Sequence, residues 1–259
     1  MAVAPDPDQI YARAREEGHR RLYMPPLEQV ATGFIAGVTI VFGIVALAVV
    51  VAYLEGAVGG NAAEVPGALA FSIGMVFLIV GRSELFSENF FDPVAAAIEE
   101  RGWSVWRRVL RLWGAILSLN LVGGAVLTAV MTVDGALPGG AAGVLTHLAE
   151  EIAGKPWTAT LARAVLAGAL VTLLSYMLKA VDTVTARILV TGMVGFFLAL
   201  GPFDHAAVSA LHLLFGIWLS DAVGYLDLLV NLGLSVAGNV VGGLTLITLT
   251  HTAQVKGSR

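Results

Sequence analysis

Gly201-Pro202-Phe203-Asp204-His205 interrupts one long apolar run, and Gly81-Arg82-Ser83-Glu84-Leu85-Phe86-Ser87-Glu88-Asn89 interrupts another. Each stretch sets charge, polar side chains and a helix-breaking signal into sequence otherwise apolar enough for the hydrocarbon core of a bilayer. Ionisable groups at that depth are expensive and turn toward a bundle interior or a water-filled path. Two such interruptions in corresponding halves of one chain point to a solute pathway.

The composition agrees with a membrane location. Of 259 residues, 57% are apolar and 13% charged, with a mean hydropathy of +0.82. A soluble domain carries about 25% charged residues, so the chain is an integral membrane protein. It has no cysteine, which excludes disulfides and thiolate metal sites. Ala2 to Gln29 is polar and mixed in charge, so no cleaved targeting segment is expected.

A helix needs roughly 20 apolar residues to cross the hydrocarbon core. Six stretches qualify: 30–54, 66–98, 107–132, 158–179, 187–219 and 227–250. The second and fifth contain the interruptions and are too long for one simple crossing. They read as pairs of half-helices joined by irregular backbone, tolerated at membrane depth only where protein or a water-lined cavity shields it. The expected organisation is a cytoplasmic amphipathic segment over 1–29, a six-span pore domain over 30–251 and a cytoplasmic tail over 252–259. Arg13, Arg15, Arg20, Arg21, Arg101, Arg107, Arg108, Arg111, Lys179, Arg187, Lys256 and Arg259 all fall on one side of that topology. The opposite loops hold only Lys155 among many acids. Both termini are therefore expected in the cytoplasm of a multi-pass protein of the plasma (inner) membrane. The 8–28 stretch reads as a helix on the membrane surface or on a neighbouring subunit.

Asn120-Leu121-Val122-Gly123-Gly124 and Asn239-Val240-Val241-Gly242-Gly243 mark an internal repeat. Ser87 precedes Asn120 by almost the same distance as His205 precedes Asn239. With three spans per unit, the second copy enters from the other side, which makes an inverted repeat. The asparagines are expected to hold the backbone of the broken loops. Glu84 and Asp204 are expected to support the same loops, with Arg82 pairing one of the nearby acids. On an unbroken helix, Glu84, Glu88 and Asp92 would instead form an acidic stripe suited to cations.

Taken together, these motifs resemble those of the formate/nitrite transporter family. Gly81–Asn89 is similar to its span-two motif, Phe203-Asp204-His205 to its span-five Phe-Glu-His, and the two Asn-x-x-Gly stretches to its spans three and six. The resemblance runs from about residue 28 to 251. It implies an aquaporin-like protomer of six spans in a homopentamer, with one pore per protomer. The implied substrates are small monovalent anions or their protonated acids, such as formate, nitrite, lactate or hydrosulfide. His205 would be the central pore histidine, and Ser87 would replace the family's loop threonine. Phe71, Leu85 and Leu198 would lie near two apolar constrictions, with Phe203 and Ser209 along the path and Arg163 as a basic residue early in span four. The chain departs from the family pattern at Ser209 and Gly168, where asparagine is usual, and at Asp204, where glutamate is usual.

Three devices would ease an anion through a low-dielectric constriction. Arginines raise the local anion concentration. Half-helix N-termini aim N–H groups at the pore. A histidine, whose ordinary titration lies near neutrality, stabilises the anion or hands it a proton. A neutral-solute pore and a non-transporting scaffold or sensor are the competing readings; the first lacks paired Asn-Pro-Ala boxes and the second an appended soluble domain. No phosphate-binding loop, metal-ligand spacing or nucleophile elbow occurs, so neither enzyme activity nor a cofactor is expected. The basic residues follow topology, which leaves nucleic-acid binding without support.

Overall fold

The computed structural model describes residues 5–58 and 60–257, and among them every regular element is helical. The α-helices are α1 (Pro7–Leu22), α2 (Pro26–Val58), α3 (Gly60–Val80), α4 (Asp92–Glu100), α5 (Trp103–Met131), α6 (Ala141–Ala153), α7 (Trp157–Lys179), α8 (Val184–Leu200), α9 (Ala206–Leu219), α10 (Tyr225–Gly242) and α11 (Leu249–Gly257). Five segments are long and apolar enough to cross a bilayer: Pro26–Ala57, Ala62–Val80, Trp103–Met131, Trp157–Lys179 and Tyr225–Gly257. The expected fifth span, 187–219, is divided between α8 and α9, which are apolar but only 17 and 14 residues long. Helix α3 begins before Pro66 and keeps that proline inside it, which membrane helices tolerate when neighbours satisfy the freed carbonyl. Helix α6 was not expected. Its buried Ala141, Leu145 and Ala149 recur every four residues and pack it against α9 and α2.

Both interruptions are real ends of helices. α3 stops at Val80, Arg82 takes a left-handed φ of 55°, and a 3₁₀ turn over Phe86–Phe90 leads into α4. α8 stops at Leu200, and α9 starts at Ala206 with His205 as its N-cap. The acidic stripe therefore does not form as one helical face. The same hydrogen bonds hold both loops. Asn120 accepts from Phe86 N at 3.0 Å and donates to the carbonyls of Glu84 at 3.0 Å and Gly33 at 2.9 Å. Asn239 accepts from Ala206 N at 2.9 Å and donates to the carbonyls of Asp204 at 3.0 Å and Ala164 at 2.8 Å. Glu84 N donates to Thr32 O and Asp204 N to Arg163 O, each at 3.3 Å. The repeat thus matches Glu84 with Asp204 and Leu85 with His205. Ser87 is not the counterpart of His205, as the sequence spacing suggested. Glycines repeat the pattern: a Cβ on Gly37 would strike the Asn120 carbonyl, and one on Gly168 the Asn239 carbonyl. Gly168 is glycine because the Asn239 backbone fills the space.

Helix α7 shows the inversion. Lys179 at its C-terminal end binds Asp92 at 2.9 Å, just after the first loop. Lys155, just before its N-terminal end, binds Asp204 in the second loop. Those ends lie roughly 34 Å apart at 1.5 Å per residue.

Helix α1 packs on its own protomer, against α4, α11 and α7. Tyr11 and Ala14 join Phe91, Ala95 and Val255 in one cluster, so the expected 252–259 tail is helical and packed through Gly257. Gly18 lets α1 approach until the Asp92 carbonyl sits where a Cβ would be. Arg20 and Arg21 then reach Glu84 at 3.0 and 3.2 Å. Arg82 makes no ion pair among the described residues; α1 and Lys179 supply the counter-charges.

Two predictions follow from these bonds. Asn120→Ala or Asn239→Ala strands one N–H and two carbonyls, and should cost about 3 kcal/mol, seen as a lower Tm of the purified protein. A wild-type Tm in both variants would contradict the loop-anchoring role. Burial alone would raise the Glu17 carboxyl, but the Arg20 hydrogen bond and the charges of Arg21 and Lys179 outweigh it and pull it from 4.5 down to about 2. A depressed carboxylate stabilises the fold above its unfolded value and loses that contribution as pH falls toward its folded one. Docking of α1 should therefore be level from neutral pH to 4.5 and weaken between 4.5 and about 2. Hydrogen exchange of the Ile10–Leu22 amides reads this, and loosening near neutral pH would contradict it.

Candidate functional site

The two loops meet in the protein interior. Ser87 Oγ and His205 Nε2 lie 2.5 Å apart, and both residues are buried. His205 Nδ1 accepts from Val208 N at 3.4 Å, capping α9. That bond needs a lone pair on Nδ1, so the neutral ring carries its proton on Nε2, facing Ser87. Nε2–H then donates to Ser87 Oγ, and the serine hydroxyl retains a proton to offer elsewhere.

The loop bearing Ser87 has its carbonyls drawn outward. Asn89 Nδ2 donates to Leu85 O at 2.9 Å, Ser175 Oγ to Glu88 O at 3.1 Å, Trp113 Nε1 to Asn89 O at 2.8 Å and Thr248 Oγ1 to Phe90 O at 2.8 Å. Thr248 ends a π-helical segment, Gly243–Thr248, between α10 and α11. π segments are rare and frequently lie at functional sites. With its carbonyls bound to the scaffold, the loop is held without turning negative dipoles toward Ser87.

His205 also lines a cavity of about 600 Å³. Among its lining residues are Phe71, Leu198, Phe203, Asp204, Ser209 and Arg163, all anticipated from sequence. Leu85 is not in the lining. It is fully buried in the apolar cluster that contains Phe71 and Leu198, two residues of the lining. Ser87 likewise lies outside the lining and reaches the site through His205. Ser209 Oγ donates to Asp204 Oδ1 at 3.3 Å, so its hydroxyl serves the loop carboxylate.

Lys155 and His212 were missed as site residues. Lys155 Nζ binds Asp204 Oδ1 and lines the cavity. Burial pushes the Lys155 ammonium below its ordinary range, and the ion pair with Asp204 opposes that shift. Its isolation among acids on its side of the topology was the available signal. His212 lies one turn beyond Val208, with Nδ1 3.0 Å from that carbonyl, and also lines the cavity. The cavity lining thus combines apolar Phe71, Leu198 and Phe203 with charged and polar side chains, and His205 joins it to Ser87. Among the described residues no cluster of three or more metal-ligating side chains forms.

Comparison with known proteins gives one consistent answer. The family model described as formate/nitrite transporter matches residues 8–253. Inner membrane protein YfdC of Escherichia coli (strain K12) is 22% identical over 248 residues, covering 95% of this chain and 78% of that protein. Uncharacterized transporter YrhG of Bacillus subtilis (strain 168) is 28% identical over 117 residues, 45% of this chain and 43% of that one. Among solved structures, an FNT family ion channel superposes with a TM-score of 0.78 at 18% identity, covering 95% of this chain and 98% of that chain. A pentameric formate channel with formate bound gives a TM-score of 0.71 at 17% identity, covering 93% and 98%. The match spans both broken helices, both anchoring asparagines and the helices between them, and the chain belongs to the formate/nitrite transporter family.

Proposed function

We propose that the protein passes small monovalent anions, or their conjugate acids, across the membrane through a pore centred on His205 and Ser87. The observation that carries this reading is the 2.5 Å contact between Ser87 Oγ and His205 Nε2, with His205 lining a cavity also lined by Phe71 and Leu198. An anion arriving there leaves water for an apolar ring, which is costly unless its charge is stabilised or removed. The Ser87 hydroxyl offers a hydrogen bond, and the imidazole is the group able to exchange a proton with a weak acid. Leu85, Phe71 and Leu198 keep water out while the species is neutral. Phe203, Ser209 and Arg163 border the approach, and Glu84, Asp204, Asn120 and Asn239 keep the two loops in register. Family membership and the formate bound in one solved structure of the same fold support the substrate class. The reading makes the protein a transporter with no catalytic step.

α8 and α9 together make the fifth crossing, and residues 30–251 form the pore domain between a packed N-terminal helix and the last turns of α11. Both termini face the cytoplasm, on the arginine-rich side, in an inner membrane such as holds the Escherichia coli relative. The assembly is a homopentamer with one pore per protomer, as in the pentameric formate channel of the same fold.

Proteoliposome flux of formate, nitrite, lactate, hydrosulfide and chloride across the neutral-to-acid range tests this. Wild-type flux should depend on pH, and His205→Phe should flatten that dependence; an unaltered profile would remove the histidine from the mechanism. Ser87→Ala should lower flux about tenfold, the worth of one hydrogen bond of about 1.4 kcal/mol. Solute-driven swelling without anion flux would instead identify a neutral-solute pore.

A further inference from the structure

We propose that Arg163 forms a second anion subsite in the outer vestibule, separate from the His205–Ser87 pair, that takes planar oxyanions such as carboxylates and nitrite in preference to spherical anions. The inference rests on the pore reading above and adds to it the group that selects what enters.

Charge pairing singles out Arg163. Each broken loop carries one acid at the equivalent position, Glu84 or Asp204, and each acid has its own cations. Glu84 takes Arg20 and Arg21 from α1, and Asp204 takes Lys155 from the turn before α7. Lys155 is therefore committed. Glu151 also borders the cavity, but its carboxylate faces His147 at 3.4 Å and is largely exposed. Arg163 lines the same cavity and is half-buried. Among the described residues its guanidinium has neither ion pair nor hydrogen bond, and its charge lies near enough to disfavour that of Lys155. A partly desolvated guanidinium beside an already neutralised ion pair is the group in the vestibule that gains most from a mobile counter-ion.

The repeat strengthens the point. Hydrogen bonding matches Arg163 with Thr32, since each gives its carbonyl to the loop acid's N–H. Holding the loop requires only that backbone carbonyl, and Thr32 shows that no cation is needed for it. The Arg163 side chain is thus free for another task. A guanidinium is a planar fork of donors that matches two coplanar oxygens, and a lysine ammonium cannot reproduce this. A cavity of about 600 Å³ leaves room for a substituent on the acid at this stage. The apolar ring at Phe71 and Leu198 then sets the size limit separately.

The test uses the full-length protein, in detergent for binding and in proteoliposomes for flux, with formate, acetate, nitrite and chloride at equal ionic strength. In detergent, the oxyanions should raise the wild-type Tm more than chloride does. Arg163→Gln should weaken oxyanion binding about tenfold, and Arg163→Lys should keep the chloride response but lose most of the oxyanion preference. In liposomes, Arg163→Gln should raise the KM for formate by a similar factor while the maximal rate and pH profile stay as in wild type. Equal anion preference in wild type and Arg163→Lys overturns the subsite, and that comparison stands alone if the glutamine variant fails to fold. The two readings fail differently. Arg163-dependent binding without flux leaves the subsite and sinks the pore. pH-dependent flux indifferent to Arg163 sinks the subsite and leaves the pore.

Discussion

The protein depends on satisfying broken backbone inside an apolar bundle. Two helices stop midway, and each stop frees N–H and C=O groups where water is scarce. Asn120 and Asn239 meet that demand, each with one acceptor and two donors turned on the loop and on the first helix of its own repeat. The surrounding glycines serve the same end. Gly37 and Gly168 let the asparagine backbones come close enough for those bonds to form. The loops are therefore rigid parts of the scaffold, and rigidity is what brings Ser87 and His205 into contact across the repeat axis.

Charge follows from the same constraint. A buried carboxylate needs partners with good geometry, and a lone one would be severely destabilising. Glu84 and Asp204 are equivalent by hydrogen bonding yet are neutralised from opposite ends of the molecule, by α1 and by the turn between α6 and α7. The symmetry of the backbone is thus broken by its charges. At one loop an amphipathic helix is bolted over the acid. At the other a single lysine does the equivalent work, beside an Arg163 guanidinium that has no counter-ion among the described residues.

Much of this was legible in particular residues. An asparagine in an apolar span followed by paired glycines signals a polar task and a close approach, and both asparagines perform it. His205 stood out because an imidazole next to an acid is hard to place in lipid for any other reason. Other readings failed for physical causes. Ser87 and His205 looked like equivalent positions because loop spacing tolerates a slip of a residue or two; hydrogen bonds pair Leu85 with His205 instead. The packing of α1 on α4 and α11 was not legible either, because an apolar stripe has the same period whether it meets lipid or protein. Gly18 was the overlooked sign, since a glycine within a helix marks a close backbone approach. Thr248 carried no signal at all, because its reach to the Phe90 carbonyl depends on a π segment that no local pattern announced.

The amino-acid sequence alone determined that the chain lives in a membrane, where its long apolar helices lie, that two of them break and that the two halves repeat. Each of these follows from local chemistry: apolar length, charge at depth and helix-breaking residues act over a few neighbours. Only the tertiary structure decided which groups meet: Ser87 with His205, Lys155 with Asp204, Arg20 and Arg21 with Glu84, and Arg163 with no counter-ion among the described residues. These contacts join residues from 49 to 118 positions apart. Such distances are set by how whole helices pack, and packing is a property of the assembled bundle that no local stretch of sequence contains.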